Sequence, residues 1–423
     1  DATHFSNIAG TLFALDTLTL ATHSDTDNRQ GIIQGSGIVL DTHGYQLDNR
    51  EGTLYSLAAM QLATAGLNNQ AGTLGAKGDF TLRATSLDNR SGGRLVGEQE
   101  IALTLDRLDN QDGQIQALSN LVVNAVSGAI DNTLGLIRSG ATVTLNASSL
   151  INRNTQAEEK GIEGLDVTIN SQQFDNAQGT ALAGNTLTIA SAETLDNTEG
   201  ELSAAGALSL SGAAMRLINT DGVVIGGENT DIDAHDITGD GQLLSLGDMT
   251  LRTRQAFNNT GDVIANGSMT FTTPGRVTNS GNLLAGTTLN FSAGSLINTA
   301  SGEIAAGATW LSVAGSLDNN GLIDGSQTWL RAGTITNVGT GRIYGDHLSL
   351  QATTLNNLAQ GGKAATIAGR QRVDIGANTI NNRDHALIYS DGALAIGGQV
   401  DASGFATGQA KTLNNHSATI ESA

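Results

Sequence analysis

The chain has 423 residues, of which 54 are glycine, 36 asparagine and one proline, Pro274, with 15% charged and only 3% aromatic residues. Charged usage well below the roughly 25% of ordinary domains, with so few aromatics, excludes several separate globular cores and suits thin, regular layers of Leu, Ile, Val and Ala. A net charge of −20 without a basic cluster argues against nucleic acid, the lack of cysteine excludes a disulfide framework, and no stretch approaches the ~20 apolar residues of a membrane helix, so this segment is not expected to insert in a membrane.

Read in chain order, one phrase returns: "QLDNREGTL" at 46–54, "LDNRSGGRL" at 87–95, "LDNQDGQI" at 108–115 and "LDNTEGEL" at 195–202. With its second polar residue as anchor, the phrase falls at Asn7, Asn28, Asn49, Asn69, Asn89, Asn110, Asn132, Asn152, Asn176, Asn197 and Asn219. After Gly239, which stands in the same slot, it continues at Asn259, Asn279, Asn298, Asn319, Asn337, Asn357, Asn382 and Asn415. Most intervals lie within two residues of 20 or 21, the mark of a repeat architecture, and the last two lengthen to 25 and 33. An apolar residue (Leu47, Leu67, Phe174, Val277) stands two before each anchor, Thr26 being the exception. Because residues i and i+2 of an extended chain share a face, that residue and the asparagine both point inward.

Between anchors the pattern alternates with period two and is punctuated by glycine, as in "TEGELSAAGALSLSG" from Thr198 to Gly212. Three short strands per ~20 residues without a helical stripe exclude a leucine-rich horseshoe, and a propeller blade needs about twice the length. The prediction is all-β: a parallel β-helix of about 20 coils running through 1–423 as one continuous segment. An inward asparagine must have its amide satisfied, so the anchors Asn49 to Asn382 are predicted to form a ladder from coil to coil. Asparagine also tolerates left-handed backbone, which predicts that conformation at the anchor itself and explains Gly239. Gly52 is read as the residue that turns the chain.

The residue before the anchor is aspartate at Asp27, Asp48, Asp88, Asp109, Asp131, Asp175, Asp196 and Asp318. Stacked, these form an outward acidic row, read as a solvated face with weak cation or carbohydrate binding as the functional alternative. The seven histidines, His4 to His416, fall in different coils, and no zinc, phosphate-loop or nucleophile-elbow motif appears. No catalytic residue, metal ligand or cofactor is therefore assigned. Residues 226–241, "GGENTDIDAHDITGDG", with Asp231, Asp233, Asp236 and Asp240, are the best calcium candidate, without the tandem repetition such sites have. "KGD" at Lys77–Asp79 and "LDV" at Leu165–Val167 match short integrin-binding words of the kind that occur by chance. Insertions break the rhythm at 153–164, 358–369 and 397–411; as loops leaving the solenoid they are candidate contact sites, and the last is where the solenoid is expected to change character.

The phrase Leu-Asp-Asn-x-x-Gly-x-Leu at this spacing resembles the haemagglutinin repeats of the filamentous haemagglutinin family. "ALIYSDGALAI" (386–396) and "LNNHSATIESA" (413–423) are similar to repeat wording in its growth-inhibition branch. The resemblance implies a right-handed parallel β-helix, export unfolded through an outer-membrane partner transporter, and display from the bacterial surface as a filament that meets a target-cell receptor or glycan. The chain begins at Asp1 and shows neither a secretion domain nor a toxin module, so it is expected to be an excised stretch of shaft and not an enzyme. The alternative is a receptor- or glycan-binding module acting through a face or inserted loop. A carbohydrate-active β-helix enzyme is disfavoured because the 21 Lys and Arg form no stack.

Overall fold

The computed structural model describes residues 1–423 and contains strands, turns and bends but no helix. The strands pair in parallel as a β-solenoid of about 19 turns, and the chain divides into two compact units, Asp1–Ile218 and Asn219–Ala423.

In the first unit the coil Gln46–Asp48, Thr53–Ser56 and Met60–Ala63 lies in register on the coil Gly66–Asn68, Thr73–Ala76 and Phe80–Arg83. Leu47 faces Leu67, Leu54 faces Leu74 and Leu62 faces Leu82, all buried. No coil could bury this apolar face by itself; each neighbour supplies the other half. Thr26, the polar exception in the apolar row, is also buried, and its hydroxyl meets that of Thr22 at 2.7 Å.

Three short strands per coil describes much of the molecule, but some coils are continuous ribbons. Thr180–Asp196 alone pairs with Glu201–Ala204, Leu208–Ser211 and Arg216–Ile218. In the second unit Leu322–Val338, Arg342–Gln360 and Thr366–Arg383 are likewise unbroken. In Thr180–Asp196 two successive exposed residues stand at each corner, and the inward alternation resumes on the next side, so the strand turns without ending. The second unit also stacks Phe257, Phe271 and Phe291 edge to face, with centroids 5.3 and 5.2 Å apart.

The turn chemistry differs from the prediction. The anchor asparagines do not adopt left-handed backbone; the residue two further on does, with φ of 51–59° at Ala9, Gln30, Glu51, Ala71, Ser91, Asp112 and Leu134. Gly52 is not left-handed either, and it is required by space. A Cβ there would lie 2.8 Å from Asn49 Oδ1 and closer still to the Asn28 carbonyl of the preceding coil. Gly31, Gly72 and Gly113 repeat this arrangement. Gly239, by contrast, does take positive φ, at 105°.

A second column has no counterpart in the sequence reading. The last residue of the second strand in each coil is small: Gly35, Ser56, Ala76, Gly97, Ala117 and Ser139 stand in register in the first unit. A Cβ on Gly97 would sit 2.8 Å from Ile101 Cγ1, so the inward side chain of the next strand fills the corner. Where serine stands there, its hydroxyl closes the turn, as Ser56 Oγ does by donating to Ala59 O at 2.8 Å.

Candidate functional site

In the first unit the anchor side chains meet. The Nδ2 of Asn28, Asn49, Asn69, Asn89, Asn110, Asn132, Asn152 and Asn176 each donates to the Oδ1 of the next anchor, ending at Asn197, at 2.7–2.9 Å. The second unit has the same series from Asn259 through Asn279, Asn298, Asn319, Asn337, Asn357 and Asn382 to Asn415, again at 2.7–2.9 Å. The second amide proton serves backbone: Asn49 Nδ2 also reaches Gly52 O at 3.2 Å and Thr73 O at 3.4 Å. Asn219 donates to Gly222 O and Gln242 O, with Gly239 in the following slot. All donors point along the chain direction, so every column has a polarity.

The carboxylates of the acidic row are held locally, several of them by arginine. Asp27, Asp48 and Asp88 each accept the backbone N–H two residues on and pair with the guanidinium of that same residue, Arg29, Arg50 or Arg90, at 2.6–2.7 Å. Asp131 and Asp196 use a threonine instead. The arginine hydrogen bond holds Asp27 below the ordinary carboxylate value. At Asp88 burial pushes upward, but bonds from Arg90 and Gln70 outweigh it. These carboxylates cap turns.

The 226–241 carboxylates are not brought together. Asp231 pairs with Arg252 at 3.1 Å and Asp233 with Arg254 at 2.5 Å, and no group of three or more His, Asp or Glu converges on a metal position. In "LDV", Asp166 accepts Thr186 N, Thr186 Oγ1 and Asn185 Nδ2, so its carboxylate is committed to the solenoid. Two histidines assigned to separate coils do meet: His23 and His43 stack with centroids 4.3 Å apart.

The three insertions differ. Residues 153–164 lie back on the first unit, where Lys160 Nζ reaches Asp112 at 3.1 Å and Gln156 reaches Glu199. Within 358–369 the chain forms an antiparallel hairpin, Ala359 opposite Ala364, over Gly361 and Gly362 with φ of 60° and 74°. Both central residues at positive φ match the tight turn that fits strand twist.

Residues 397–411 make the most specific contacts. A short antiparallel pair, Gln399–Val400 with Ala406–Thr407, folds against the outer face of the second unit. Ala406 N–H donates to Asp374 Oδ1 at 2.8 Å, Val400 N–H to Gln351 Oε1 at 2.5 Å, and Ser349 Oγ to Gly404 O at 2.7 Å. Phe405 stacks on His347 at 5.4 Å and lies 4.7 Å from the Arg372 guanidinium carbon. Asp374 is fully buried and also takes Arg372 Nε at 2.5 Å and His347 Nε2 at 2.9 Å. Burial pushes its carboxyl up, but the donors from Arg372, Ala406 and His347 outweigh that and hold it below the ordinary value.

This loop walls a groove of about 1120 Å³ whose floor includes Trp310 and Trp329. The two indoles pair in register on adjacent coils, stacked 5.5 Å apart and 19° from parallel. Sequence reasoning passed over them because it followed inward positions; their 19-residue spacing, one coil, was the available signal.

Stacked parallel coils with one turn chemistry define a class: a repeat-built β-solenoid. The haemagglutinin repeat family matches residues 1–133, 125–162, 164–235, 224–273 and 366–423. The chain belongs to the haemagglutinin-repeat, or filamentous haemagglutinin, family of secreted, cell-surface exoproteins. It is 30% identical over 369 residues to the deoxyribonuclease CdiA of Dickeya dadantii (strain 3937), covering 87% of this chain and 9% of the relative. It is 25% identical over 299 residues to the toxin CdiA of Escherichia coli, covering 60% of this chain and 9% of the relative. With a tRNA nuclease CdiA of Yersinia mollaretii it shares 27% identity over 248 residues, 57% of this chain and 7% of the relative. The chain thus spans under a tenth of the length of these curated relatives. No solved structure matches it.

Proposed function

We propose that this segment is part of the shaft of a large exoprotein, exported through an outer-membrane partner transporter and holding a distal adhesive or toxin-delivery module toward a target cell. The observation that carries the reading is the in-register stacking of coils that share one turn chemistry, in a chain whose relatives are named as toxins and nucleases of the CdiA type. Coils of this kind add one at a time, each burying its face on the last, which suits folding as chain emerges from a transporter.

In this reading the asparagine columns act as register devices. A coil displaced by one residue would turn its amide out and its polar middle residue in, leaving the neighbouring amides unpaired. The nuclease activities belong to the relatives as named, and the shaft itself performs no turnover.

The test is to delete an integral number of coils, residues 50–110, from the exoprotein in its producing bacterium and label intact cells with antibody to the remaining repeats. Surface labelling that persists, and that disappears when the partner transporter is removed, is the expected result. Labelling that appears only in permeabilised cells of the intact strain sinks the proposal.

A further inference from the structure

We infer that the groove between the Trp310–Trp329 pair and residues 398–409 binds a neutral oligosaccharide. Its floor consists of two outward rows in register. One runs Thr270, Asn290, Trp310, Trp329 and Ser349. Beside it, Ser292, Ser312 and Arg331 lead to Gln351, whose amide oxygen is held by the loop. Adjacent positions in such rows lie about 4.8 Å apart, so amide and hydroxyl groups extend in steps from a flat aromatic platform.

Trp310 is 43% exposed, although burying a large apolar side chain is worth roughly 1.5–3 kcal/mol. An exposed indole, backed by a second, part-buried one at Trp329 and rimmed by polar groups, marks a contact site. Its flat face suits the C–H face of a pyranose ring, while the surrounding serine, threonine and asparagine groups can exchange hydrogen bonds with sugar hydroxyls.

Charge selects among ligands. In a chain of net charge −20, Arg331 and Asp401 are the only charged residues lining the groove, and their signs cancel. Polyanions find no basic patch. A peptide cannot add to the floor as a further strand, because these coils are hydrogen-bonded to neighbours on both sides and strand addition needs a free edge. The pair also falls in residues 274–365, the stretch outside the haemagglutinin-repeat matches, where the outward face departs from the common repeat.

The inference stands on the groove alone and is independent of the shaft reading. The chain has only two tryptophans, Trp310 and Trp329, so tryptophan fluorescence, excited selectively over the four tyrosines, reports on this site and nowhere else. The purified 423-residue chain is titrated with linear hexasaccharides of β-1,4-glucose, α-1,4-glucose, β-1,3-glucose and β-1,4-N-acetylglucosamine. At least one is expected to give a saturable blue shift. Trp310→Ala should weaken that binding by about tenfold or more, read by calorimetry, with an unchanged urea midpoint, while Trp310→Phe retains part of it. No response to any sugar up to about 10 mM, or affinity unchanged in Trp310→Ala, overturns the inference. So does preferential binding of heparin with a steep salt dependence, which would assign the site to an anionic ligand.

Discussion

The backbone amide of Ala406 donates to the buried carboxylate of Asp374 at 2.8 Å, across 32 residues of chain. That single bond ties the 397–411 insertion to the wall of the second unit, and the rest of the attachment gathers around it. His347, Arg372, Ser349 and Phe405 all lie at this carboxylate or its neighbours.

Acid should release the loop. Asp374 is held below its ordinary value, so its contribution is fully present above the unfolded carboxylate value of about 3.9 and is lost as pH falls through the lower folded value. Asp27 and Asp88 titrate with the same sign. Hydrogen-exchange protection of residues 397–411 should therefore fall below about pH 3.9. Asp374→Asn should open the same segment at neutral pH while the Asn28–Asn197 column stays protected. Equal loop protection in that variant and the wild type would refute the coupling.

Breaking one step of the asparagine column should be costly well beyond the residue changed. Asn132 accepts from Asn110 and donates to Asn152, Gly135 O and Gly161 O. Asn132→Leu leaves those groups unpaired in a buried site, and each such group costs ~1–3 kcal/mol. The urea transition of the chain should move down by an amount equivalent to about 3 kcal/mol; a midpoint indistinguishable from wild type would show the column to be dispensable.

The turn makes a paired prediction of opposite sign. Gly113→Ala places a Cβ 2.6 Å from Asn110 Oδ1 and against the Asn89 carbonyl, and should destabilise by about 3 kcal/mol, the upper end of the usual cost of overpacking. Leu134, two residues after its anchor, holds φ at 58°, a conformation that costs an L-residue ~1–2 kcal/mol. Leu134→Gly should raise the thermal midpoint slightly. A thermal midpoint unchanged in Gly113→Ala, or lowered in Leu134→Gly, would refute this account of the turn.

Arg50→Ala should lower the urea midpoint only slightly, and less in high salt, because the Arg50–Asp48 pair at 2.6 Å is a part-exposed surface ion pair. A drop in that midpoint as large as that of Asn132→Leu would mean that the capping aspartate depends on its arginine.

How much was legible in the sequence varies with how local the cause is. The period, the inward leucines and the anchors follow from alternation along a few residues, and Leu47 opposite Leu67 needs nothing more. The turn was misread for want of context: Asn49 could have been left-handed by its chemistry, but Glu51 is, and Gly52 is excluded from having a side chain by the carbonyl of Asn28, a coil away. The acidic row reads as a solvated face, and the sequence alone cannot show that Asp27, Asp48 and Asp88 each cap their own turn.

By itself the sequence determined the parallel all-β solenoid, the family and the twenty-residue unit, because a repeated local pattern can bury its apolar face only by stacking on its own copy. Only the tertiary structure decided that Trp310 lies on Trp329 within a groove, that His347 and Arg372 share Asp374, and that residues 397–411 close over them. Those contacts join outward side chains to an insertion that has no period, and the forces that select them act between residues tens of positions apart.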